Sequence, residues 1–207
     1  MSDGCCYCGH HDALAVSNLR RAPRATWWLA GPLTRVGRDA IRRQAQAAFD
    51  AWSAVARVTG REAVSELAAD LVIRVAQIDG RQGVLADCHL PGPRQQLMRL
   101  DDSEAWTVQP GPDVDAALID LGRVLIHELG HFWGLGHAPP GSPNLMAPTY
   151  SRAVWLPQAW EVEAMQALYG RPDAPPPPPA PPAPSKRTVI TIDWETRQIL
   201  SEDRTVA

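Results

Sequence analysis

The sequence predicts one folded domain of the α+β class, with additional segments at both ends of the chain. Between about Ala25 and Gly170, segments with apolar residues at helical spacing are interspersed with short β-branched runs. The 207-residue chain is 45% hydrophobic and 21% charged, which is typical of a soluble globular protein. Its net charge of -3 is too small to indicate nucleic acid or an acidic membrane surface as a partner.

Three segments have the pattern of helices. Arg38 to Val58 repeats apolar residues at helical spacing. Asp113 to about Gly134 follows two prolines, starts with acidic residues and carries leucines on related faces. A third helix is predicted after Pro157, ending at Tyr169, where Gly170 suits a left-handed cap.

Strands are predicted between the first two helices. Leu71 to Val75 is apolar and β-branched, which favours a buried strand. Val84 to Cys88 and Gln96 to Leu100 are shorter candidates. No segment approaches the roughly 18 to 20 unbroken apolar residues that a membrane span needs, so we expect no membrane partner.

Four regions differ in composition. They are a Cys/His-rich N-terminal segment (1–22), the folded domain (23–170), a proline-rich linker (171–185) and a C-terminal tail (186–207). We expect the linker, which contains APPPPPAPPAP, to be an extended polyproline spacer. In the tail, Val189 to Trp194 alternates like a strand. It either adds a strand to this domain or to a partner, or it is a weakly ordered terminus.

The N-terminal segment does not have the pattern of a secretory signal. MSDGCCYCGHHD has neither a basic start nor an apolar run, so we expect a cytoplasmic protein or export by another route. Three of the four cysteines fall within four residues, which is a poor distribution for a disulfide framework. Cysteine usage therefore does not support an extracellular location.

The run from His127 to His137 has the pattern HExxHxxGxxH. Residues four apart on a helix lie on the same face, so His127 and His131 can direct nitrogens at one point. His137 lies too far along to share that helix as a ligand, and Gly134 stands where a residue without Cβ permits the chain to turn back. Zinc held by three imidazoles keeps a position for water, and Glu128 is placed to take a proton from that water.

This motif and its surroundings resemble the matrixins, which are metzincin zinc proteases that include the matrix metalloproteinases. Ser142 to Tyr150 resembles the family's Met-turn, in which Met146 would form an apolar floor beneath the zinc. The resemblance covers about Pro23 to Gly170. Further matching segments are Phe49 to Trp52 (end of the first helix), Ala69 to Ile73 (central strand) and Trp155 to Gly170 (closing helix).

The resemblance implies a metzincin fold, with a twisted, mostly parallel five-stranded sheet, three helices, and an active-site cleft between a larger N-terminal and a smaller C-terminal subdomain. It implies hydrolysis of internal peptide bonds in extended polypeptides, with Glu128 as general base. We expect a monomer. The alternative is a catalytically weak or self-inhibited zinc module that binds peptides. The implied substrate-binding residues are Val84, Leu85 and Ala86 at the sheet edge and Pro148, Thr149 and Tyr150 in a pocket wall.

Two departures from the family pattern concern its other metals. Asp87 stands where a structural-zinc histidine is expected and Arg99 replaces another, so we expect no structural zinc, because a protonated arginine cannot ligate it. Asp101 and Glu104 match the family's calcium-binding acidic pair, although two carboxylates make an incomplete Ca²⁺ shell. The alternative is a solvated acidic turn before Trp106.

Cys8 to Asp12 resembles the family's cysteine switch, in which a thiolate takes the fourth position on the zinc and excludes the catalytic water. In this sequence Cys6-Tyr7 replaces the usual Pro-Arg before the switch cysteine. Two alternatives stay open: a tail without a site, or a separate metal site. The second would use Cys5, Cys6, Cys8, His10 and His11.

Overall fold

The computed structural model describes most of the chain. The described residues are 22–92, 95–109 and 115–172, together with the backbone of 185–193 and 198–206. Two compact units are distinguished, Met1–Asp173 and Ala174–Ala207. Within the described residues, no helix combines the length and the apolar character that crossing a membrane requires.

The first unit is built on a five-stranded sheet. Its strands are β1 (Arg24–Leu29), β2 (Thr59–Glu62), β3 (Leu71–Ala76), β4 (Ala86–Cys88) and β5 (Gln96–Asp101). The strand order is β2-β1-β3-β5-β4. All neighbours pair in parallel except β4, which runs antiparallel to β5 at one edge. The predicted mostly parallel five-stranded sheet is therefore confirmed, with β3 at its centre.

Three helices complete this unit, which confirms the α+β class. They are α1 (Arg38–Ser53), α2 (Leu121–Trp133) and α3 (Ala159–Tyr169). Helix α1 ends before the predicted Val58, and α3 ends at the predicted residue. Gly170 has a positive φ of 83° but an extended ψ of 169°, so it is not the predicted left-handed cap.

Helix α2 begins at Leu121 and not at the predicted Asp113. The preceding residues form the short strand β7 (Ile119–Asp120), which pairs in parallel with β6 (Trp106–Thr107). Asp120 then caps the helix, because its carboxylate accepts a hydrogen bond from the backbone N–H of Arg123 at 2.8 Å.

Strands β1 and β2 are not predicted from the sequence. β2 is Thr-Gly-Arg-Glu, with no large apolar side chain, and only its pairing with β1 identifies it. Its Gly60 lies against the ring of Phe49, where an added Cβ would come within 2.0 Å of the ring. A long-range contact therefore specifies this strand.

A cluster of buried aromatic side chains joins the sheet to α1 and α2. Phe49 of α1 stacks on Trp27 of β1 and meets Phe132 and Trp133 of α2 edge-on, with ring centroids 6.1–6.2 Å apart. Trp52 donates its indole N–H to the Ile126 carbonyl at 2.9 Å. Each aromatic pair adds about 0.5–1.5 kcal/mol beyond its buried area. The cluster thus fixes the helix that carries His127 and His131.

The second unit contains two strands, β8 (Ser185–Asp193) and β9 (Gln198–Val206). They pair antiparallel, with Ser185 opposite Val206. Val189 to Asp193 of the alternating segment lies in β8, whereas the more polar β9 was not predicted as a strand.

Candidate metal centre

Three histidines of the HExxHxxGxxH motif converge on one point. The Nε2 atom of His131 lies 3.2 Å from Nε2 of His127 and 3.2 Å from Nε2 of His137. In a tetrahedral zinc site with Zn–N distances of about 2.0–2.1 Å, the ligand atoms lie about 3.3 Å apart. The spacing of these nitrogens therefore fits zinc.

Backbone carbonyls orient two of the imidazole rings. His127 Nδ1 lies 2.8 Å from the Leu145 carbonyl, and His131 Nδ1 lies 2.7 Å from the Leu135 carbonyl. Because a carbonyl only accepts, each Nδ1 carries the hydrogen and each Nε2 presents its lone pair. These contacts hold both rings in the tautomer that a metal needs.

Gly134 brings His137 back toward the helix. It ends α2 in the left-handed conformation, with φ 108° and ψ 11°, a region that residues with a Cβ rarely adopt. The N–H of Leu135 then donates to the Gly130 carbonyl at 2.9 Å. The predicted turn at Gly134 is therefore confirmed.

His127 is fitted to be a neutral ligand. Burial lowers its pKa to about 4, and the nearby His137 acts in the same direction, while the hydrogen bond to the Leu145 carbonyl opposes them. The ring is therefore uncharged near neutral pH, and protons compete with a metal for it only in acid.

Glu128 follows His127 on α2 and is fully buried. A carboxylate in this position lies away from bulk water but within one residue of a metal-ligating imidazole. This placement suits a group that exchanges a proton inside the site.

Met146 packs directly against the helix between the two histidines. A Cβ built on Gly130 would lie 2.4 Å from Met146 Sδ and 2.9 Å from its Cε. The fully buried methionine can therefore approach the helix only because residue 130 is glycine. The sequence indicated Met146 but not Gly130.

Glu161 contacts the segment that carries Met146, a contact that was not predicted from the sequence. It is fully buried at the start of α3, and its carboxylate accepts from the N–H of Met146 at 2.9 Å and of Gln158 at 2.8 Å. The Met146 carbonyl in turn accepts from the N–H of Ala138 at 2.8 Å. The signal in the sequence was a capping box, Gln158 followed three residues later by Glu161.

A cavity of about 20 Å³ lies beside His127. Thr149 and Tyr150 of the predicted pocket wall line it, whereas Pro148 does not. The hydroxyl of Tyr150 accepts a hydrogen bond from the N–H of Asp120 at 3.0 Å, which ties this wall to the start of α2.

The predicted edge-strand residues differ in their backbone contacts. Val84 donates its N–H to the Asp79 carboxylate at 3.0 Å, and the Leu85 carbonyl accepts from Asp101 at 2.9 Å. Ala86 lies opposite Leu100 in β5. Because Leu85 is bonded to β5, Ala86 belongs to a non-hydrogen-bonded pair, and its N–H and carbonyl point to the outer edge of the sheet.

Asp101 and Glu104 are buried, so they do not form a solvated acidic turn. The Asp101 carboxylate accepts from the N–H groups of Ser103, Asp79 and Gly80 at 2.8–3.3 Å. Burial would raise the pKa of Asp101, but these backbone hydrogen bonds outweigh it and lower the pKa. Both carboxylates therefore hold the loop before β4, since Glu104 accepts from the N–H of Gln82 at 2.6 Å.

Asp87 and Arg99 face each other across β4 and β5 and form a two-bond ion pair. Arg99 Nε lies 2.9 Å from one carboxylate oxygen, and Nη2 contacts the other. Within the part of the chain that the structure describes, one group of three or more His, Cys, Asp or Glu residues could hold a metal, and it is the histidine triad. Cys8 lies outside the described residues.

Comparisons with known proteins agree with this geometry. The Matrixin family model matches residues 20–170. Metalloendoproteinase 4-MMP of Arabidopsis thaliana is 33% identical over 141 residues, 63% of this chain and 40% of that protein. Macrophage metalloelastase of Rattus norvegicus is 30% identical over 185 residues, 80% of this chain and 37% of that protein. Matrix metalloproteinase-16 of Mus musculus is 33% identical over 167 residues, 72% of this chain and 27% of that protein.

The chain thus spans less than half the length of these curated relatives. The family match nevertheless covers nearly the whole first unit, including its sheet, its three helices and the converging histidines. This chain belongs to the matrixin family.

Proposed function

We propose that this protein is a zinc-dependent endopeptidase that cleaves internal peptide bonds of extended polypeptides. The observation that carries the proposal is the convergence of three imidazoles, in which Nε2 of His131 lies 3.2 Å from Nε2 of each of the other two, close to the spacing of tetrahedral zinc ligands. His127, His131 and His137 would hold the metal. Bound there, zinc would supply an acidic water and an electrophile for the scissile carbonyl.

Glu128 is the general base of the proposed reaction. It takes the proton of the attacking water and passes it to the leaving amine as the peptide bond breaks. Its burial supports this role, because a carboxylate shielded from bulk water returns the proton to the substrate and not to solvent.

The substrate is proposed to bind as an additional strand beside β4. The outward N–H and carbonyl of Ala86 are the groups that pair with its backbone. Helix α2 packs against β4, which brings the paired substrate close to the histidines. Thr149 and Tyr150 would contact one substrate side chain in the cavity beside His127.

Glu128→Ala tests this mechanism. Loss of general-base catalysis typically costs about 10²- to 10⁴-fold in rate, whereas zinc content should not change, because Glu128 is not a ligand. Cleavage of a quenched peptide and zinc content are measured for both proteins, with the exposed Glu163→Ala on α3 as control. Activity that survives Glu128→Ala or removal of zinc would contradict the mechanism, and peptide binding without cleavage by the wild type would favour the peptide-binding module.

Calcium at Asp101 and Glu104 is a separate proposal. Burial raises the pKa of Glu104 and the charge of Asp101 acts in the same direction, while backbone hydrogen bonds oppose both. A divalent cation would offset the electrostatic repulsion between these two buried carboxylates. Calcium should raise the thermal midpoint of the wild type but not that of Asp101→Asn. Equal shifts in both proteins would contradict calcium binding here.

A further inference from the structure

Arg123 is a buried cation in the wall of the cavity beside His127. It lies in the first turn of α2, is 4% exposed, and lines the cavity together with Thr149 and Tyr150. Among the described residues, none forms a hydrogen bond with its Nε, Nη1 or Nη2 atom. Buried donors are normally paired, because an unpaired donor loses its solvation without compensation.

Two aromatic rings cover the faces of the guanidinium. Its Cζ atom lies 5.3 Å from the centroid of the Tyr150 ring and 4.5 Å from that of Trp155. Such contacts stabilise the positive charge but leave the N–H groups unused, because these point outward in the plane of the guanidinium. The Tyr150 side chain favours the charged form of Arg123, but no guanidinium nitrogen has a partner within the distance and angle limits of an ordinary hydrogen bond. The in-plane donors are therefore complementary to an acceptor that enters the cavity.

The charge and the size of the cavity restrict what can enter. Burial lowers the pKa of Arg123, while Tyr150 and Asp120 act against it, and an arginine stays protonated under all physiological conditions. The cavity is small, about 20 Å³, which favours a short side chain. An apolar side chain in it would leave the cation unpaired.

We infer that Arg123 makes this cavity select substrates whose side chain at this position is short and ends in a hydrogen-bond acceptor, above all the carboxylate of aspartate. The inference rests on the proposed peptidase function and names its substrate class. A carboxylate can accept two parallel hydrogen bonds from the guanidinium fork. Trp155, which is 39% exposed, lies over the guanidinium and is not among the residues that line the cavity.

The inference is tested by binding to the zinc-loaded protein, measured by calorimetry. Two peptide hydroxamates are compared that differ only in the side chain next to the hydroxamate, carboxymethyl in one and isobutyl in the other. The wild type should bind the carboxymethyl compound about 10- to 100-fold more tightly, the range expected for hydrogen bonds to a charged group. Arg123→Leu should reverse this preference. Arg123→Lys should retain only part of it, because lysine keeps the charge but loses the fork.

Arg152→Leu is the matched control. Arg152 carries a second positive charge close enough to act on Arg123, but it does not line the cavity. Arg152→Leu should leave the ratio of the two affinities nearly unchanged. If the preference came only from the positive charge around the cavity, Arg152→Leu would lower the ratio as much as Arg123→Leu does.

The outcomes separate this inference from the proposed function. A wild-type preference for the isobutyl compound, or a ratio that Arg123→Leu leaves unchanged, overturns the role of Arg123 while the metal site stands. Failure of both hydroxamates to bind overturns the zinc site and the pocket inference together. The wild-type ratio needs no variant, so it decides the inference even if Arg123→Leu does not fold.

Discussion

Glu161→Gln is the substitution that best tests how the metal site is supported. The buried carboxylate accepts two backbone hydrogen bonds, from Met146 and Gln158. Glutamine keeps one acceptor oxygen but turns the other into an NH₂ group that faces a backbone N–H. Hydrogen bonds to charged groups contribute about 1.5–3 kcal/mol each, so the loss of one should lower the free energy of unfolding by about 2 kcal/mol. In a domain of this size, that corresponds to a midpoint about 4–8 °C lower.

The same substitution should weaken zinc binding. The N–H of Met146 and the carbonyl of Leu145 belong to one peptide unit, and that carbonyl orients His127. Groups that orient metal ligands typically contribute about 10- to 100-fold to metal affinity. We expect a loss of about tenfold, the lower end, because Glu161 acts on the ligand through this peptide unit.

Denaturant unfolding of the metal-free protein, followed by tryptophan fluorescence, measures the first effect. Competition with a zinc chelator measures the second. Glu163→Gln, an exposed residue on the same helix, is the control for removing a negative charge from α3. The reasoning is refuted if both variants have the same free energy of unfolding and the same zinc affinity. A loss of stability with normal zinc affinity would mean that Glu161 stabilises α3 but does not support the zinc site.

Three further predictions follow from the geometry. The pKa of His127 is about 4 in the folded protein, below its ordinary 6.5, so the unfolded chain binds the proton more tightly. The free energy of unfolding of the metal-free protein should therefore fall by up to about 3 kcal/mol between pH 6.5 and 4. In unfolding experiments His127→Gln should remove this part of the pH dependence. Gly130→Ala should lower the free energy of unfolding by about 1–2 kcal/mol, because overpacking against Met146 exceeds the gain in helix propensity. A variant more stable than the wild type would contradict the close packing of Met146 on the helix. Arg99→Leu should lower the free energy of unfolding by about 1 kcal/mol or less, since the ion pair with Asp87 is partly exposed. Metal analysis of the wild type and of this variant should find one zinc per chain. A second zinc in the wild type would show that the ion pair does not replace a structural metal.

The parts of the fold that could be predicted from the sequence are those with a local pattern. Helix α1 and strand β3 have apolar residues at the spacing of their own backbone, so their positions are close to those predicted. Strand β2 has no such pattern, because it is stabilised by pairing with β1 and by the contact of Gly60 with Phe49. The start of α2 was misplaced because the pairing of β7 with β6 uses the residues just before Leu121.

The candidate site divides in the same way. The spacing of His127 and His131 and the turn at Gly134 depend only on backbone geometry within eleven residues, so the motif alone predicts which three imidazoles meet. The groups that surround these imidazoles come from segments far apart in the chain. The hydrogen bond of Glu161 to the Met146 N–H and the burial of Arg123 under Trp155 join separate elements, and no periodicity records such contacts. Chain geometry therefore specifies the metal ligands, whereas long-range packing specifies their support and the pocket beside them.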